Sequence, residues 1–216
     1  MINFEMSKKN WTYEKLQNLN RKNILNSKKQ FQAYILNYIN INDNSFDAIF
    51  NALTHQNVEK ATTILHIGQQ CKYQYFIIKG LLLASEIDDK GNEHIIQIGI
   101  ENSWIGDLAS FTNLTPSNRQ IKAAENCVLL LLSREGYETL LNTIPDFERL
   151  FRIIFQKAYI KQTERVSLML NSDAENRFKI FKENNEALLP RLEWKTIASY
   201  LDMSPETLSR IKNKLA

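Results

Sequence analysis

Apolar residues recur along this chain in two rhythms, and each change of rhythm marks a change of structure. From Phe31 they fall three and four apart, at Phe31, Tyr34, Ile35, Tyr38 and Ile39, until Asn42-Asp-Asn-Ser45 interrupts; Phe46, Ile49, Phe50 and Leu53 then resume the spacing. Two helices are predicted, the second capped by Asn44 or Ser45. Short runs rich in Ile, Leu, Tyr and Phe follow at 62–67, 73–79, 81–87, 94–98, 120–124 and 127–132, parted by Gly, Asp and Asn. Their spacing predicts a small antiparallel sandwich or barrel, with Asp88-Asp-Lys-Gly91 as a hairpin turn in which Gly91 takes positive φ. Ser133-Arg-Glu-Gly136 opens a helix that closes near Pro145. Helical spacing then runs from Asp146 to Leu170 through Phe147, Leu150, Phe151, Ile154, Phe155, Ala158, Ile160, Val166 and Met169. That stripe is wider than one surface helix needs, so part is expected to meet the strand-rich body and part a second copy. Ser172 with Glu175 reads as the capping box of the next helix, which carries Phe178 and Phe181.

In the last stretch, 192–215, Ile197, Leu201, Met203, Leu208 and Ile211 keep helix spacing but slip phase at Asp202-Met203. Two short helices joined by a tight turn are predicted, with Ala198 at their close crossing. Ser204 caps the second helix, Pro205 suits its first position and Glu206 complements its positive end. Leu208, Ile211 and Leu215 form its inner stripe. The segment resembles a helix-turn-helix DNA reader, except that Asp202 stands where Gly is usual. Arg210 is the expected guanine contact, Ser204, Pro205, Glu206, Thr207 and Ser209 lie near base edges or phosphates, and Lys212 and Lys214 suit phosphates.

Composition adds a partner's sign. The 216 residues are 44% hydrophobic with a formal charge of +3, enough for a proper core but too nearly neutral to announce nucleic acid. Distribution says more. Residues 1–30 carry seven Lys/Arg against two carboxylates, 31–189 carry 15 against 19, and 190–216 carry five against three. Basic ends around an acidic middle suit a polyanion at the helix pair. Residues 1–30 read as a basic tail, with a DNA-touching arm or a body-packed helix on Leu16, Leu19 and Ile24 as alternatives. No apolar run reaches membrane length and no signal-type segment appears, so a cytoplasmic location and no membrane partner are expected. Cys71 and Cys127 read as reduced and structural, and His55, His66 and His94 are too scattered to hold haem. No metal site or cofactor is expected. Nor is an enzyme, since no nucleophile–base pair or phosphate-cradling glycine loop is present.

The order of short helices, strands with Phe76-Ile-Ile-Lys-Gly80 and Trp104-Ile-Gly-Asp-Leu108, long helix and terminal helix pair resembles the Crp/Fnr superfamily of transcription regulators over residues 31–215. The resemblance implies an α+β fold: an N-terminal antiparallel beta roll of the cyclic-nucleotide-binding jelly-roll type with flanking helices, a long dimerisation helix, and a C-terminal helix-turn-helix domain. The divisions expected are 1–30, 31–145, 146–171 and 172–216. It also implies double-stranded DNA with a palindromic operator, a homodimer through 146–171, and RNA polymerase as a further partner. Cyclic-nucleotide binders of this kind resemble Gly-Glu-Leu followed by Arg-Ser/Thr-Ala. Here Gly106, Asp107 and Leu108 keep a shorter carboxylate, the Arg position falls on Ser117, with Asn118 next and Arg119 two residues late. Two residues along a strand is about 6 to 7 Å, which argues against cyclic AMP unless a different loop length restores Arg119, and leaves an unidentified small ligand or a pocket kept as scaffold. The chain stops at Ala216, before the β-hairpin wing many members carry, so a wingless form or a cut chain is expected. The rival reading is a small-ligand-binding module whose helix pair no longer reads DNA.

Overall fold

The computed structural model describes residues 13–214. Period-two alternation in the strands builds two antiparallel sheets with an apolar filling between them. β1 (Leu53–Val58), β8 (Cys127–Ser133), β3 (Tyr73–Lys79) and β6 (Trp104–Ile105) lie side by side in that order in one; β2 (Thr63–Leu65), β7 (Arg119–Ala123), β4 (Leu82–Ile87) and β5 (Glu93–Gly99) form the other. Tyr75, Ile77, Leu82, Ala84, Ile105, Ile121, Leu129 and Leu131 fill the space between the sheets. Gly80 turns the chain out of β3 at φ +100°, where a Cβ would stand 2.7 Å from the Asn126 carbonyl oxygen, so glycine is required.

The alternate residues of the first sheet point outward and need their own cover. Phe76, Ile78, Leu130 and Leu132 pack beneath α1 (Tyr13–Leu36), α2 (Asp43–Asn51), α4 (Arg134–Thr143) and the start of α5 (Pro145–Asn171). Phe31 of α1 is central there. Its ring centroid lies 4.9 Å from Phe76 and 6.2 Å from Trp104, both edge-on.

The outer face of the second sheet is covered by the C-terminal helices. Leu81, Leu83, Ile98, Ile100 and Ala124 share one apolar cluster with Phe178 and Phe181 of α6 (Ala174–Asn184), Ile197 and Ala198 of α7 (Trp194–Tyr200), and Leu208 and Ile211 of α8 (Pro205–Lys214). The roll and the helix pair are therefore packed on one another. A short 3₁₀ turn, Glu186–Arg191, adds a charged fastening: Arg191 bonds both carboxylate oxygens of Glu101, at 2.9 and 3.0 Å, and both of Glu125, at 2.9 and 2.8 Å.

Several expectations change. The reading of residues 1–30 as a tail gives way over 13–30, where α1 is continuous; Ser27 Oγ lies 3.2 Å from His55 Nε2 and Gln30 donates to the Ile78 carbonyl at 2.8 Å. Residues 1–12 lie outside the described residues, as does Leu215 of the expected inner stripe. The helix expected through Leu53 stops at Asn51, and Leu53 opens β1 because its backbone pairs with Leu132. Its cap is Asn42, whose side chain accepts from the Ser45 N–H, rather than Asn44 or Ser45. Likewise Asp173, not Ser172, caps α6, accepting from the Asn176 N–H at 2.8 Å. Besides β1, the elements not anticipated are β6, α3 (Leu108–Asn113) and the 3₁₀ turn Glu186–Arg191.

Candidate nucleic-acid interface

The helix pair starts and turns where its residues dictate. Ser204 Oγ accepts from the Thr207 N–H at 3.2 Å, and Glu206 opens the first turn, where its own N–H and the Ser204 hydroxyl hold its carboxyl below the usual range. Asp202 adopts φ +52°, the left-handed geometry the phase slip required. Arg177 of α6 braces that turn. Its Nε donates to the Leu201 carbonyl at 2.9 Å, Nη2 to the Asp202 carbonyl at 3.1 Å and Nη1 to the Ser172 carbonyl at 2.8 Å. Three acceptors at the end of α7 and the start of α6 are thus satisfied by one guanidinium, which compensates for a non-glycine turn residue. Asp202→Gly is expected to stabilise the protein by about 0.5 to 1 kcal/mol, seen as a higher midpoint of thermal unfolding.

With Leu208 and Ile211 buried, Pro205, Glu206, Ser209 and Arg210 are exposed along the opposite face of α8. They border a shallow hollow together with Asn213, which sequence reasoning did not single out. Thr207 is half-buried and serves the cap, its Oγ1 accepting from the Ser204 hydroxyl at 3.1 Å. The two lysines are occupied. Lys212 Nζ sits 4.3 Å from the Trp194 ring centroid, and Lys214 Nζ pairs with Glu175 at 2.6 Å. Both contacts are to distant positions in the sequence, which is why spacing alone did not reveal them. These cations lie at the solvent boundary, where a phosphate could compete for them.

Of the residues singled out in the roll, Asp107 and Ser117 come together, and the others point elsewhere. Asp107 is buried; one carboxylate oxygen accepts from the Ala109 and Ser110 N–H groups at 3.1 and 3.2 Å, capping α3, and the other accepts from the Ser117 hydroxyl at 2.7 Å. Arg119 Nε is bonded to Glu86 at 2.7 Å. Gly106 has no room for a side chain, since a Cβ there would run into the Gln74 amide. Leu108 and Asn118 are exposed.

The long helix divides in two. Phe147, Leu150, Phe151 and Ile154 are buried against the roll, whereas Tyr159 (71% exposed), Ile160 (53%), Val166 (56%) and Leu170 (79%) face solvent. Phe155, Tyr159, Gln162, Val166 and Met169 alternate fours and threes, the spacing of a helix–helix seam.

Comparison with known proteins agrees with this architecture. The cyclic nucleotide-binding domain family matches residues 55–143. The cAMP-activated global transcriptional regulator CRP of Haemophilus influenzae is 26% identical over 97 residues, 44% of this chain and 43% of that protein. Its Salmonella typhimurium counterpart is 26% identical over 109 residues, 49% and 51% of the two chains. The chain thus spans about half the length of the curated relatives it matches. Among solved structures, the c-di-GMP-responsive global regulator CLP of Xanthomonas campestris aligns with a TM-score of 0.67 at 16% identity, over 81% of this chain and 91% of that one. The Thermus thermophilus catabolite activator protein gives 0.54 at 17%, over 82% and 85%. The molecule is a cyclic-nucleotide-binding-type beta roll joined by a long helix to a helix-turn-helix unit. The roll, residues 55–143, thus matches the cyclic nucleotide-binding domain family, and the fold as a whole is similar to that of a solved regulator of the Crp/Fnr family from Eubacterium rectale, with a TM-score of 0.63 at 17% identity over 82% of this chain and 87% of that one.

Proposed function

We propose that the protein is a transcription regulator that binds double-stranded DNA as a homodimer, placing two copies of α8 in successive major grooves about 34 Å apart. The observation that carries this reading is the face of α8. Arg210 and Ser209 stand exposed on a helix whose start is capped, whose turn is braced and whose back is buried in the protein's own core. A hairpin kept only for packing has no need of that ridge. The exposed half of α5 supports pairing of two copies, which would duplicate the ridge about a two-fold axis. RNA polymerase belongs to the same reading as a later partner, as does a cytoplasmic location and the absence of catalysis; no described helix is long and apolar enough to cross a membrane.

Cyclic AMP is left out of the proposal, although the CRP relatives are named as cAMP-activated. That choice is supported by Asp107 capping α3 and bonding Ser117, and by Arg119 Nε bonding Glu86, rather than by either side chain standing open toward a ribose or a cyclic phosphate. A small ligand elsewhere in the roll is the second reading, favoured by a polar trough of about 590 Å³ lined in part by Gln56, Thr63, Gln70, Lys72 and Tyr73.

Gel-shift titrations of genomic fragments with no added ligand test the proposal. Binding should weaken steeply between roughly 50 and 200 mM salt as phosphate contacts are screened. No shift at the lower salt would leave only the ligand-binding module. On a specific site, Arg210→Ala should cost about 1 to 3 kcal/mol and relax base preference, while Lys214→Ala should weaken all sequences alike. Fluorescence-anisotropy titrations on matched and random duplexes would separate the two.

A further inference from the structure

We infer that Arg165, outside the reader itself, is the positioning residue that determines which operator spacing the dimer accepts; the inference rests on the regulator reading above. Arg165 lies on α5 where that helix passes both the open edge of β5 and the end of α7. Its Nη1 donates to the Ile96 carbonyl at 2.7 Å, and its Nη2 to the Ile95 and Tyr200 carbonyls at 3.3 and 3.0 Å. The guanidinium also stacks on the Tyr200 ring, 4.3 Å from its centroid. One side chain thereby ties together the long helix, the roll and the first helix of the reader.

Its neighbour Ser199 makes a second stitch of the same kind. The hydroxyl accepts from the Ile95 N–H at 2.9 Å and donates to the Glu93 carbonyl at 3.0 Å, so α7 adds side-chain bonds to a strand edge that would otherwise stay unpaired. Arg165 Nε is buried and has no hydrogen-bond partner among the described residues. A buried, unmet donor is unfavourable, and lysine could not replace the planar fork that reaches three carbonyls and a ring at once. The arrangement constrains orientation at a cost in satisfaction.

Geometry gives that constraint its consequence. α5 ends at Asn171 and α6 begins at Ala174, so two non-helical residues, Ser172 and Asp173, form the covalent joint between the long helix and the reader. Turning the reader about that joint requires the Arg165 and Ser199 bonds to part. Tyr200 is two residues before the Asp202 turn, close to the root of α8, so small rotations there move the tip of α8 furthest. If α5 defines the dimer axis, Arg165 fixes how far each α8 stands from it.

Two measurements on Arg165→Met and Arg165→Lys test this, with Ser199→Ala as a milder variant should either arginine replacement fail to fold. The first needs no DNA. Spin labels at Lys90→Cys on the hairpin tip and Asn213→Cys on α8, with Cys71 and Cys127 buried and unreactive, report the roll-to-reader distance by double electron–electron resonance. With labelled protein diluted into an excess of unlabelled protein, so that only pairs within one protomer are read, wild type should give one narrow distribution, and Arg165→Met and Arg165→Lys a broad one. The second uses a half-site selected from random DNA, set in palindromes whose spacer is lengthened or shortened by single base pairs. Wild type should prefer one spacing by about tenfold or more, Arg165→Met by no more than about twofold, with affinity for an isolated half-site unchanged. A narrow distance and an unchanged spacing preference in the variant would overturn the assignment. Failure of the wild type to bind any duplex would instead sink the regulator reading, and the spacing role with it.

Discussion

Phe31→Ala will lower the unfolding free energy by about 3 to 5 kcal/mol, measured by chemical denaturation. Phe31 is 1% exposed, and its ring meets Tyr34, Phe46, Phe50, Phe76 and Trp104, which belong to two helices and two strands. Removing it leaves a cavity walled by rigid rings and a sheet, none of which can collapse inward cheaply. The same substitution tests whether α1 is integral to the domain. A loss below about 1 kcal/mol, the range of ordinary surface changes, would show that α1 is an appendage and that the aromatic cluster does not support the roll.

Val166→Asp is the second large effect, and it falls on assembly rather than on folding. In the single chain Val166 is 56% exposed, so a carboxylate there stays hydrated and the protomer should keep its unfolding midpoint. In a dimer paired along α5, two such carboxylates would meet in an apolar seam with Tyr159 and Leu170. Desolvation and like-charge repulsion then oppose association by on the order of 3 kcal/mol or more, a hundredfold or greater rise in the dimer dissociation constant. Sedimentation equilibrium should show the shift directly. Operator affinity should fall with it, since each reader alone loses the advantage of a tethered second half-site. An unchanged dimer would move the pairing surface off this half of α5.

What the sequence made legible, and what it hid, divides along the range of the interaction. Gly91 at φ +85° in its hairpin, β3 from Tyr73 to Lys79 and the Ser204 start of α8 depend on neighbours within a few residues, and each stands as local pattern predicts. Sequence spacing takes only Leu53 of β1, as the end of a helix, and leaves 54–58 unassigned, because Leu53-Thr-His-Gln-Asn-Val58 has little strand character of its own; pairing with β8 imposes it. Over 13–30 a tail is the first reading and a body-packed helix only an alternative, because exposed residues such as Arg21 to Asn26 resemble a solvated tail, while the contacts that anchor α1 are made near its C-terminal end, at Ser27, Gln30 and Phe31.

The same division runs through the candidate site. That Asp107 is a polar residue at a structured loop could be read from Gly106-Asp107-Leu108; that Ser117 closes on it could not, because nine residues, a whole helix among them, intervene. Lys212 and Lys214 were recognisable as cations but not as partners of Trp194 and Glu175. Arg165 and Arg177 carried no local signal. An arginine on a helix face looks the same in sequence whether it points to water or to three carbonyls.

The central claim is that the exposed face of α8 reads base sequence, and the most direct test is selection of bound sites from random duplex DNA by the purified protein without added ligand, run beside Arg210→Ala. The account predicts that the wild type enriches a palindrome with half-sites about one helical turn apart, and that the variant loses preference at one position within each half-site. Enrichment of no sequence by the wild type, or of the same sequence by both proteins, would contradict it.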